Sequence, residues 1–243
     1  MKRFRLQGQG LRGEGEPDPS HARVFNAPSV VSWLALFIIA CHVAYLVLPE
    51  AMKIRVVWCG AVSPQRFLQG EGGFFAMLAP LVGHMLLHDG WLHLLFNTIW
   101  LMAFGAPVAR RLGAERPRGA GPPATFVVFF VLSGVAGAIS YIAVHSGETT
   151  MMIGASGGVS GLLGGLVRFA LPPRAARTDG FAGLFDRSVL TWTGAIIALN
   201  ILAGFFGSSL AGAGADIAWE SHIGGYLFGL LTFPVFARLA RRP

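Results

Sequence analysis

The chain has 243 residues, 53% of them hydrophobic and only 13% charged, with a net charge of +7 and a mean hydropathy of +0.59. A soluble domain carries about 25% charged residues. The balance excludes an ordinary water-soluble globule and points to a bilayer as the solvent.

Residues 1–27 form a polar, Gly-rich tail carrying Lys2, Arg3, Arg5, Arg12 and Arg23. Such a composition predicts a disordered basic tail. Residues 28–243 read as one membrane-embedded all-α domain. A helix needs about 20 apolar residues to cross the hydrocarbon, and six runs meet that need: 30–48, 91–109, 125–144, 153–171, 189–206 and 217–236. The first three contain no Asp, Glu, Lys or Arg. The first run is too long, and too far from the basic residues, for a signal peptide. Cys41 falls inside it and Cys59 in the loop that follows, at different depths, so no disulfide is expected.

That loop is unusual. Its second half, 72–87, is apolar, and only Asp89 and Gly90 separate it from the second run. Two residues cannot reverse a helix that has crossed a membrane. The segment therefore reads either as an interfacial, partly inserted element or as a hydrophobic loop buried on the protein.

Orientation follows from the basic residues. Of the 19, all but Lys53, Arg55 and Arg66 fall in the tail, at the C-terminus, or around the loops after runs two and four. The positive-inside rule then puts both termini in the cytoplasm. It also accounts for the net charge without nucleic acid.

Three polar clusters interrupt the apolar runs: His93-Leu94-Leu95-Phe96-Asn97, Gly154-Ala155-Ser156-Gly157-Gly158 and Ser221-His222-Ile223-Gly224-Gly225. Runs two, four and six share one direction under this orientation. Each cluster lies near the start of its run, so all three fall at a similar depth near the outer face. His93 and Asn97, four apart, share a helix face. Polar groups inside a membrane are costly and mark function. A serine, a histidine and a His/Asn donor pair at one depth suit acyl transfer. The histidine takes the serine proton and returns it to the leaving amine. His93, Asn97 and the Ser156 backbone N–H are candidate donors to the developing oxyanion. Gly157 and Gly161, with Gly225 and Gly229, have the spacing that lets membrane helices pack backbone to backbone. Gly154 and its neighbours allow a substrate to approach closely.

Each feature has a plainer reading. Gly-x-Ser-Gly is often simple packing. His93 and Asn97 suit interhelical hydrogen bonds, and His222 suits an interface. Gly154-x-Ser156-x-Gly158 also matches the nucleophile elbow of soluble hydrolases, but no strand precedes it. His84, His88 and His93 permit a metal-dependent membrane protein, although no His-Glu-x-x-His is present.

In order, spacing and topology, His93-x-x-x-Asn97, Gly154-x-Ser156-Gly157 and Ser221-His222-x-x-Gly225 resemble the rhomboid intramembrane proteases, over residues 64–236. His84 and His88 match histidines often found in that family's first loop. The resemblance implies a six-helix membrane bundle with Ser156 as nucleophile and His222 as general base. His93 and Asn97 become oxyanion-hole side chains. It implies no metal or cofactor, and substrates that are membrane-anchored and cut near the outer face. A multi-pass protein of a bacterial inner membrane fits this picture. The chain departs from the family's common pattern at Ala79-Pro80, where many members have Trp-Arg. It departs again at Ser160, where many have an aromatic ring against the histidine, and at Ala109, where many have Glu. A catalytically inactive helix-binding adaptor is the alternative those departures leave open.

Overall fold

A computed structural model describes residues 27–115, 121–170, 180–211 and 217–240, with the side chains of 207–211 outside the description. The expected basic tail lies outside the described residues, apart from Ala27. Among the described residues the protein is all-α, with one isolated backbone bridge.

Helix α1 (Ser29–Leu46) is followed by three short helices, α2 (Glu50–Gly60), α3 (Pro64–Gln69) and α4 (Gly73–Gly83), and a 3-10 turn over His84–Leu86. Then come α5 (Gly90–Arg111), α6 (Gly121–Val144), α7 (Ser156–Ala170), α8 (Arg187–Ala211) and α9 (Trp219–Leu239). Five of these, α1, α5, α6, α8 and α9, are long and apolar enough to cross a bilayer. The protein is an integral, multi-pass membrane protein.

The fourth apolar run behaves differently from a plain 153–171 span. Its helix starts only at Ser156 and runs 15 residues, about 22 Å at 1.5 Å per residue. The preceding strand-like segment explains the late start. Met152 and Val62 exchange backbone hydrogen bonds of 3.0 and 2.9 Å, and the Gly154 N–H donates to the His84 carbonyl at 2.8 Å. Gly154 itself has φ +118°, a conformation that side-chain-bearing residues rarely adopt. The chain therefore stays extended through Gly154 and turns helical only at Ser156. A helix enclosed by α5, α6 and α9 has no need to reach lipid on both sides.

The core is built on α6, α7 and α9. A Cβ built on Gly225 would fall 2.0 Å from the Gly157 carbonyl oxygen, and one on Gly229 would fall 1.9 Å from that of Gly161. Both contacts advance by four residues on each helix, so α7 and α9 run parallel with backbones touching. On the other side Ser133 of α6 lies against Gly161, and Phe129 against Gly165. There the numbering runs in opposite senses, so α6 is antiparallel. Phe126, Phe129, Phe130 and Phe233 are fully buried around this seam.

The first loop has one side packed on the protein and one side turned outward. On α4, Pro80 and Leu81 are buried, while Phe74 and Phe75 are 68% and 84% exposed. One side packs on α2 and α6; the other offers large apolar rings outward, as an element lying in the membrane interface does. Arg66 brackets the loop, its guanidinium 3.8 Å from the Trp58 ring centroid and hydrogen-bonded to the Trp58 carbonyl.

Candidate active site

Ser156 is the first residue of α7. Its helix begins with unpaired backbone N–H groups, as every helix does. The first N–H of this turn to find a backbone partner is that of Val159, on the Ala155 carbonyl at 3.1 Å. Ser156 is half-buried, and Gly157 and Gly158 are buried. The parallel seam sets the start of α9 beside this turn. A Cβ on Gly157 would lie 2.9 Å from the Ser221 hydroxyl oxygen, and Ser221 immediately precedes His222.

His93, on the first turn of α5, covers the same turn from another side. A Cβ on Gly154 would lie 2.7 Å from His93 Nε2. The opposite ring nitrogen, Nδ1, accepts the Asp89 backbone N–H at 3.3 Å. A neutral imidazole has one donor and one acceptor nitrogen. Its proton therefore sits on Nε2, the atom over the Gly154–Ser156 turn. Asn97, one turn further, is buried, and its amide nitrogen donates to the His93 carbonyl at 2.9 Å, its one hydrogen bond among the described residues.

His222 stands on the first turn of α9, directly after Ser221. Its hydrogen bond runs to α8, not to Ser156: Nδ1 meets Asn200 Oδ1 at 2.8 Å. Catalytic hydrogen bonds in substrate-free sites are often unformed and tighten only when substrate binds.

A scan against family models matches the rhomboid domain over residues 76–239, more than half of the chain. The chain belongs to the rhomboid family. It is 30% identical over 170 residues to the protein described as rhomboid protease GluP of Bacillus subtilis strain 168. The match takes in 70% of this chain but only 27% of that relative's length.

Within this rhomboid fold His93 lies against Gly154, two residues before Ser156, Ser221 beside His222 lies against Gly157, and Asn97 follows one turn after His93 on α5. The helix-packing glycines Gly161, Gly225 and Gly229 lie along the seam below. His84 and His88 are buried beside it. His84 Nδ1 donates to the Pro80 carbonyl at 2.8 Å, and its own carbonyl holds Gly154, so this histidine braces the segment leading to Ser156. His88 packs edge-on against His93 at 5.1 Å and against His42 of α1 at 6.3 Å. Burial, followed by the neighbouring charges of His93 and His42, pushes His88 down to about 3. It stays neutral at any working pH. Among the described residues, no group of three or more His, Cys, Asp or Glu side chains is arranged to hold a metal ion.

Two residues of this neighbourhood were not anticipated. His42, buried at 1% exposure, lies in the middle of the first apolar run. Asn200 is the one carboxamide in the fifth. The signal for each was an imidazole or carboxamide inside an apolar run, the same rule that exposed the other clusters.

Proposed function

We propose that this chain is an intramembrane serine endopeptidase, with Ser156 as nucleophile and His222 as general base, cleaving single-span membrane proteins near the outer membrane face. The observation that carries this reading is the convergence on one turn. The glycine seam puts the first turns of α7 and α9 side by side, and His93 presents Nε2–H over the same place.

The chemistry follows from those positions. His222 withdraws the Ser156 hydroxyl proton as Oγ adds to the scissile carbonyl carbon. The carbonyl oxygen becomes an oxyanion, met by His93 Nε2–H, the Asn97 amide N–H and the Ser156 backbone N–H. One such donor is worth about 10²–10³ in rate in a soluble serine protease. The tetrahedral intermediate collapses, the C–N bond breaks, and the amine leaves with the proton from His222. Water, deprotonated by His222, then attacks the acyl-Ser156 ester and regenerates the hydroxyl. No step calls for a metal or cofactor.

The partners in this reading are transmembrane substrates and the lipid bilayer. The basic residues support cytoplasmic termini in a bacterial inner membrane, with residues 1–27 as a cytoplasmic tail. A fluorophosphonate probe tests the nucleophile without knowledge of a substrate. The purified protein should be labelled on Ser156, and Ser156→Ala should take no label. Labelling that persists in Ser156→Ala would refute the assignment. A folded, unlabelled wild type that still captures transmembrane helices would favour the adaptor alternative.

A further inference from the structure

We infer that Asn200 of α8 is a positioning residue for His222, holding the imidazole in the tautomer and rotamer that let it accept the Ser156 proton; this rests on the serine-protease reading above. The argument starts from the cost of a carboxamide in an apolar run. Such a group is expensive inside a membrane unless both of its ends are satisfied. Asn200 satisfies both. Its Nδ2–H donates to the Ile196 carbonyl at 2.9 Å, and Oδ1 meets His222 Nδ1 at 2.8 Å.

The first of these bonds decides the second. Ile196 offers only a carbonyl, so the amide must turn its nitrogen to the helix and its oxygen to His222. A flipped amide would set two oxygens against each other. With Oδ1 facing the ring, Nδ1 has to be the donor. A neutral imidazole then carries its lone pair on Nε2. That is the nitrogen a serine hydroxyl needs. When His222 takes up the Ser156 proton, the Nδ1–H···Oδ1 bond becomes charge-assisted and strengthens. It therefore stabilises the transition state more than the resting enzyme. An amide in third place after a nucleophile and a histidine is known from papain-like cysteine proteases, on an unrelated fold.

The location of Asn200 gives this bond a second meaning. Helix α8 is the least buried of the spanning helices, with 6% of its apolar window inside the protein. Among the described residues, its side-chain hydrogen bonds to α9 are this one and Thr193–Tyr226 at 2.8 Å. At Ser160, where rhomboid proteases often place an aromatic ring against the histidine, no ring exists to hold the imidazole. Support comes from α8 instead.

The test compares wild type, Asn200→Ala, Asn200→Leu and Asn200→Asp in detergent or liposomes, reading reporter cleavage and thermal unfolding together. Removing the acceptor should lower kcat about 10–100-fold in the Ala and Leu variants, less than the about 10⁴ lost when a charged orienting group is neutralised in a serine protease. KM should stay within about twofold, as for an interaction made mainly in the transition state. Asn200→Asp, which keeps an acceptor, should recover most of that loss. A residue that merely fastened α8 would lower the melting temperature and leave kcat of the folded fraction unchanged, and that result would overturn the inference. Nitrogen-15 chemical shifts of His222 in the unaltered protein give a readout that no folding defect can blur. A protonated Nδ1 with a bare Nε2 is expected; the reverse tautomer would overturn the inference. Absence of cleavage by wild type would strike the protease reading itself, whereas active wild type with equally active Asn200 variants would strike only the role of Asn200.

Discussion

Helices α7 and α8 solve opposite problems with the same chain. Helix α7 is short, enclosed by α5, α6 and α9, and held by glycines whose backbones touch their neighbours. Helix α8 is long, mostly turned outward, and tied to α9 by Asn200–His222, Thr193–Tyr226 and the Trp219 ring over Gly204. Ser156, the proposed nucleophile, sits on the closely packed helix; Asn200, the partner of His222, sits on the spanning helix with the least buried surface. Close packing fixes Ser156 by shape, whereas directional hydrogen bonds fix His222.

The largest effect should come from breaking the close-packed side. In Gly229→Ala the new methyl would lie 1.9 Å from the Gly161 carbonyl oxygen, and backbone cannot swing away as a side chain can. Overpacking of this kind costs on the order of 3 kcal/mol, and thermal unfolding in detergent should register it as a fall in melting temperature. A variant as stable as wild type would show that the seam is looser than its geometry states. On the α8 side, Gly204→Ala meets the Trp219 ring at 2.1 Å. A side chain can yield there, so a smaller loss of about 1 kcal/mol is expected.

Much of this contrast was already legible in the amino-acid order. Apolar runs locate the spanning helices because a bilayer forces hydrophobic lengths. The glycines at 157, 161, 225 and 229 carry the spacing of helices that touch. The short reach of α7 was not legible. It depends on the positive φ of Gly154 and on the bridge between Met152 and Val62, a pairing across the chain that hydropathy does not sense. Around the site, Ser156, His93, Asn97 and His222 stood out because they cluster. Asn200 is the one carboxamide in its run and His42 the one histidine in its own, and a polar residue outside any cluster gains meaning only from what faces it.

Weaker ties sharpen the comparison further. Thr193→Val removes the hydroxyl that pairs with Tyr226 and should cost about 1 kcal/mol, while kcat moves less than in Asn200→Ala. An equal loss of kcat in both would mean that α8 acts only as a whole. The smallest effect concerns His145, just after α6, which joins Glu148 at 2.8 Å and Glu220, two residues before His222, at 3.0 Å. Burial pulls this imidazole down, but the hydrogen bonds and charges of Glu148 and Glu220 outweigh it and raise its pKa above the usual value. Its contribution to stability is therefore fully present below the unfolded pKa of about 6.5 and is lost as pH rises through the higher folded value. Wild type should lose slightly more stability than His145→Gln as pH rises above about 6.5, by less than about 1 kcal/mol because Glu148 is exposed and His145 only partly buried. Parallel melting curves for the two proteins would remove His145 from the account.

The most direct test of the central claim is cleavage of a single-span reporter in liposomes by wild type, Ser156→Ala and His222→Ala, each with and without EDTA. The account predicts cleavage by wild type that is indifferent to the chelator and absent in both variants; cleavage retained by Ser156→Ala, or abolished by EDTA in the wild type, would contradict it.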